Sequence, residues 1–301
     1  MFELWVPITI GSSIAQNLRS SIQKHLKGTL STAGATSVRF LFAVPFVAVY
    51  VTILCTTFGY TIPTPGSTFY LYASLGSLGQ ILGTAFLIHS FSFRNFVVGT
   101  AFSKTETVQA AVFGILVLAD PITSWALVGI LVSLVGVMQL AVAAQGAGVR
   151  ELIGSFFQKE AGYGMACGTC YGIASVCYRA ASLSLQTDFM ISAATTLGYV
   201  LVLQSLIMFV YLVLREPGQL TAILGAWKLS SLVGLSGMTA SAGWLTAMTI
   251  QNAAHVRALG QVELFFTFLS SVLFFRERVK PAELIGAILI VVGLVALLIK
   301  A

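Results

Sequence analysis

Apolar runs of about 20 residues follow one another along the chain, separated by short polar or charged turns. As a helix, a run of that length crosses about 30 Å of hydrocarbon. Ten such spans are expected, at about 3–23, 31–55, 68–91, 95–118, 123–143, 160–182, 188–214, 227–250, 254–275 and 281–299, with ends good to a few residues. The longest connection, GAGVRELIGSFFQKE, follows the fifth span, and no stretch remains that would build a soluble domain. The start, MFELWVPITIG, has no basic region or small-residue cleavage pattern and runs on into the polar SSIAQNLRSSIQ, so it reads as a first helix rather than a secretion signal.

Composition points the same way. Of 301 residues, 57% are hydrophobic and 9% are charged, against about 25% charged in a soluble domain. So few charges cannot coat a water-facing surface. The expected fold class is an all-α integral membrane protein, multi-pass in the cell (inner or plasma) membrane. Lysines and arginines near span ends divide unequally. The face away from the N-terminus holds ten, namely Lys24, Lys27, Arg94, Arg150, Lys159, Arg215, Lys228, Arg276, Arg278 and Lys280, and the N-terminal face holds Arg179, Arg257 and Lys300. Because positive loops stay in the cytoplasm, the count places both termini outside. These loop charges account for the net +6, and no nucleic-acid partner is implied.

The chain also repeats itself. ETVQAAVFGILVLADPITSWALVGILVSLVGV and ELFFTFLSSVLFFRERVKPAELIGAILIVVGL align without a gap at a constant offset of 157 residues, the step from Glu106 to Glu263. Asp120 meets Glu277, Gly129 meets Gly286, and Gly136 meets Gly293. With five spans in each half, an odd number, the second copy enters the membrane from the opposite side. The halves are expected at 1–145 (helices 1–5) and 158–301 (helices 6–10). Inverted repeats of this kind build secondary transporters with a substrate site near the midplane.

In these segments, LVLADPITSWALVGILVSLVGV and LFFRERVKPAELIGAILIVVGL above all, and in GATSVRFLFAVPF with Arg39, the sequence resembles the ten-helix EamA-like permeases of the drug/metabolite transporter superfamily. The likeness covers essentially the whole chain. It implies two inverted five-helix repeats, a central cavity lined mainly by helices 1, 3, 4, 6, 8 and 9, and alternating access. Its substrates would be amino acids, nucleobases, vitamins, nucleotide sugars or drugs. Relatives of that kind keep both termini in the cytoplasm, opposite to the charge count.

The fourth span carries AFSKTETVQAA between apolar flanks. A lysine or acid at a helix centre costs about 2.5–3.5 kcal/mol, and each large aliphatic residue or phenylalanine returns about 0.3–0.6. Lys104 and Glu106 alone nearly cancel the roughly 5 kcal/mol that the span's apolar residues supply. Their side chains must therefore meet protein or a water-filled cavity. Two residues apart, they point away from each other, so each needs a partner on another helix. Arg39, Arg19, Arg257 and Glu263 are the candidates, with Arg39 and Arg257 as structural or charge-pairing residues. A purely structural salt bridge competes with a role in substrate or proton binding; the recurrence of Glu106 as Glu263 favours the second. Lys104 is replaced by Gln261 in the second copy, so Glu263, without a local cation, is the first candidate for proton coupling and Glu106 the second.

Gln16, Asn17, Gln80, Lys104, Glu106, Tyr171, Trp244 and Gln261 complete the expected substrate-binding set, with Tyr163 and Ser241 as further wall residues. Both signs of charge with amides and aromatic rings suit a small polar or zwitterionic metabolite, such as an amino acid. The G-x-x-x-G-x-x-x-G of Gly164, Gly168 and Gly172 reads as a close-packing face. Cys167 and Cys170 read as small packing residues, and His89 and His255 as interfacial. No cofactor or metal is expected, nucleotide hydrolysis lacks its phosphate-binding loop, and the chain is expected to act as a monomer. A channel or membrane scaffold remains the alternative, and a membrane-embedded enzyme, without a protease motif, comes after both.

Overall fold

The structure is a computed structural model in which residues 3–90, 92–93, 96–143, 154, 157–273 and 280–299 are described. Arg94, Arg150, Arg276, Glu277, Arg278 and Lys300 lie outside these. Among the described residues the long elements are all helices: α1 (Trp5–Leu26), α2 (Thr32–Leu41), α3 (Val44–Thr57), α4 (Ser67–Ser90), α5 (Phe96–Ser103), α6 (Glu106–Leu118) and α7 (Ser124–Ala143), then α8 (Lys159–Ser184), α9 (Phe189–Arg215), α10 (Gly218–Gly225), α11 (Trp227–Ile250), α12 (Ala253–Gly260), α13 (Val262–Leu273) and α14 (Pro281–Ile299). Among the described residues six spans are long and apolar enough to cross a membrane, and seven if α10 and α11, bent by 87°, count as one.

α1 and α8 are long but fall outside that set, for a reason visible in their residues. α1 carries Ser12, Ser13, Gln16, Asn17 and Arg19, and α8 is built on glycine, cysteine and tyrosine. Such helices satisfy their hydroxyls internally. Thr9 donates to the Trp5 carbonyl at 2.7 Å and Ser12 to Ile8 at 2.7 Å, the back-bonding that serine and threonine use where water is scarce. The helix α10 occupies a stretch expected to be a loop.

Four broad contacts organise the bundle: α7 with α14, α4 with α8, α1 with α11, and α5–α6 with α8. The first rests on glycine. A side chain at Gly129 would stand 2.7 Å from the Gly293 carbonyl, and one at Gly136 2.8 Å from that of Gly286. Neither backbone leaves room for a Cβ, so the helices touch backbone to backbone. Gly136→Leu is therefore expected to lower the melting temperature of the purified protein sharply, by overpacking that costs about 1–3 kcal/mol or more. Gly198→Ala, with nothing within 4 Å, should leave it unchanged or raise it.

The fourth and ninth expected spans are each broken in two. At the first break the Lys104 N–H donates to Ala101 at 3.1 Å and the Thr107 N–H to Lys104 at 3.5 Å. At the second, Gln261 donates to Ala258 at 3.1 Å and Leu264 to Gln261 at 3.0 Å. These are the same two bonds, three residues back instead of four, moved along the chain by the offset of the sequence repeat.

Candidate functional site

The first break is held against α8 by the glycine stripe. A Cβ at Gly168 would lie 3.0 Å from the Ser103 carbonyl and 3.1 Å from the Glu106 nitrogen; one at Gly172 would lie 3.2 Å from the Ala110 nitrogen. Without side chains there, α8 reaches the interrupted backbone itself. The second break meets the first directly. The Gln261 amide donates to the Lys104 carbonyl at 3.2 Å and to the Thr107 hydroxyl at 3.3 Å. Gln261 is buried and ties the two interruptions together instead of lining the cavity, where it was expected.

Beside these breaks lies a cavity of about 470 Å³. α1 supplies Gln16, Asn17, Arg19 and Lys24, α2 supplies Arg39, and α4 supplies Gln80. The broken helices supply Lys104, Glu106, Arg257 and Glu263, while Tyr171, Tyr178, Ser241 and Trp244 come from α8 and α11. Gln16, Asn17, Gln80, Tyr171 and Trp244 thus come together as the sequence suggested. Tyr163 does not; its ring joins Phe86, His89 and Phe93.

The charge partners of Lys104 and Glu106 come from the expected candidates. The Lys104 amine donates to Glu263, 2.5 Å away, crossing from one half of the sequence to the other. Glu263 therefore has the cation that the sequence comparison denied it. Glu106 is 3.9 Å from Arg257, an ion pair without a hydrogen bond. Arg257 is buried rather than near a span end: its Nε donates to Ser175 at 2.7 Å, and its guanidinium lies 4.8 Å from the Trp244 ring centre, a cation–π distance. His255 is buried too, because the Asn252 side chain, accepting from the Ala254 N–H at 2.9 Å, starts α12 inside the bundle.

The α4 side of the cavity is a fixed polar wall. Thr84 donates to the Gln80 carbonyl at 2.7 Å, which leaves its oxygen to accept from Arg39 at 3.0 Å and from Tyr171 at 3.0 Å. The Gln80 side-chain oxygen accepts from Tyr178 at 3.0 Å and from Gln204 at 2.9 Å. Gly76 and Gly83 make room for the two tyrosine rings. Tyr178 and Gln204 were not expected here. An amide buried in the middle of α9, in an otherwise apolar run, was the available signal.

At the Met248 end of the cavity, Arg179 closes the structure. It donates to Asp120 at 2.9 and 3.3 Å, and to the carbonyls of Met248 at 2.6 Å and Gln251 at 2.9 Å. A cation thus sits on the C-terminal end of α11, where the helix dipole favours it, and ties that end to α8 and to the turn after α6. The charge that the sequence count placed near a span end is used internally. Cys167 is buried with its thiol 3.3 Å from the Gly83 carbonyl, and all four cysteines are free.

A multi-pass helical membrane protein with a charged cavity beside paired helix breaks has the build of a membrane transporter. Residues 158–299 match the model of the EamA-like transporter family, a match that supports membership of the chain in that superfamily of membrane transporters. A solved structure described only as a crystal structure of a protein superposes with a TM-score of 0.70 at 14% identity, over 99% of this chain and 96% of that one. At that identity the likeness is one of fold. No curated protein matches the sequence.

Proposed function

We propose that the protein is a secondary active transporter of the cell membrane, carrying a small polar or zwitterionic organic metabolite, an amino acid or a related compound, by alternating access. In this reading ten spans form two inverted five-helix repeats, 1–145 and 158–301, working as a monomer without enzymatic activity. The observation that carries it is the Lys104–Glu263 pair between two like breaks, one in each half. Helix breaks at membrane depth expose backbone groups that a protein tolerates only beside a cavity or another helix. The crossed contacts of Gly129 with Gly293 and Gly136 with Gly286 support the same two-fold arrangement, since exchanging the halves returns the same pairs.

The proton-coupling role falls to Glu106 rather than Glu263, because its ion pair is the looser one and its carboxylate is freer to change partners. Vesicles reconstituted with the purified chain and loaded with single amino acids test both points. Saturable uptake with counterflow is expected, and Glu106→Gln should remove its pH dependence. Linear, non-saturating leakage would make the protein a channel, and an unchanged pH profile in Glu106→Gln would exclude it as the proton site.

A further inference from the structure

Five cationic side chains line the cavity, Arg19, Lys24, Arg39, Lys104 and Arg257, against two carboxylates, Glu106 and Glu263. The two carboxylates are taken up by Lys104 and Arg257. Arg19 and Arg39 lie side by side: a Cβ at Gly237 would be 3.2 Å from Arg19 Cδ and 3.5 Å from Arg39 Cγ. Only 2% of Arg19 and 4% of Arg39 is exposed, and among the described residues neither forms an ion pair. Arg39 donates one hydrogen bond to Thr84. Arg19 reaches only its neighbour Ser20, at 3.3 Å, and its Nε and Nη1 have no partner.

Two adjacent buried guanidiniums outside any ion pair are costly even with Glu263 across the same cavity, and a charge left so is normally paired or put to use. A planar guanidinium presents two parallel N–H groups that match the oxygens of a carboxylate or phosphate. We propose that Arg19 and Arg39 form a clamp for an oxyanion group of the cargo, and that the cargo is a metabolite of net negative charge, the acidic member of the class proposed above. The proposal rests on the carrier reading for its cargo, but the clamp itself is a binding site and can be tested without transport.

The test is thermal unfolding of the full chain in detergent and low chloride, titrated separately with L-aspartate, glycerol 3-phosphate and L-alanine. L-Aspartate has one carboxylate more than L-alanine, and glycerol 3-phosphate replaces carboxylate by phosphate. The expected result is saturable stabilisation by L-aspartate or glycerol 3-phosphate beyond that by L-alanine, the stronger of the two identifying the group. Arg19→Gln and Arg39→Gln should each weaken that response about 10- to 100-fold. Without probe, Arg19→Gln should melt no lower than the parent, since it removes an unpaired buried charge. Parent-like titrations in both variants, stabilisation by L-alanine equal to that by the anions, or a markedly lower melting point for Arg19→Gln without probe would each overturn the proposal. If the anions stabilise the parent but vesicles show no saturable flux, the carrier reading fails while the clamp stands. If flux is saturable and undiminished in Arg19→Gln, the clamp fails and the carrier stands.

Discussion

Lys104→Met is expected to lower saturable flux in reconstituted vesicles about 100-fold or more, and Glu263→Gln to do nearly the same. Each substitution removes one partner of a pair 2.5 Å apart whose side chains are 19% and 11% exposed. Breaking a buried pair from one side costs about 3–5 kcal/mol, because the other charge remains in poor solvent. The double variant separates the structural from the functional role. With both charges gone the desolvation penalty disappears too, and stability should return to near the parent's. Flux should not return. A double variant that transports like the parent would reduce the pair to a structural fastener.

The second large effect belongs to Arg179. Arg179→Ala strands Asp120 and leaves the carbonyls of Met248 and Gln251 without the donor they share. A loss of about 3–5 kcal/mol is expected, with local opening at the Met248 end of the cavity. A cysteine placed at Thr249, which is buried here, should then react with a water-soluble maleimide much faster than in the parent background. Asp120→Asn keeps the guanidinium on the helix end and should open that end less. If the maleimide rate is the same in all three proteins, Arg179 does not hold that end shut.

Much of this was legible along the chain, and the limits follow from the kind of information each residue carries. The cost of Lys104 and Glu106 in an apolar span fixed where a cavity had to be. The offset between Glu106 and Glu263 coincides with the repetition of backbone bonds at the two breaks. The spacing of Gly164, Gly168 and Gly172 announced a close approach, and the backbone of α5 and α6 makes it. Partners were another matter. Glu263 and Arg257 stood among the candidate partners of Lys104 and Glu106, but the choice of Arg257 over Arg19 and Arg39 by Glu106 depends on how two halves of the chain are set against each other, and nothing local encodes it. Arg257 and Arg179 were counted among the charges near span ends, and a count of span ends cannot see that one lies on a helix that begins inside the bundle and the other is spent on Asp120 and the carbonyls ending α11. Gln261 was read as a wall residue by its alignment with Lys104, but its amide is used by the neighbouring break.

The two breaks share a backbone geometry and differ in their side chains, lysine in one and glutamine in the other. Were the halves of an inverted repeat identical, the state open to one face would be the image of the state open to the other, and the two would have equal energy by symmetry. A resting protein would then spend half its time in each. Lys104 opposite Gln261 lifts that degeneracy at the point where the halves touch. In the proposed architecture this difference contributes to the bias in which face the empty carrier presents, and Gln261→Lys would shift the populations.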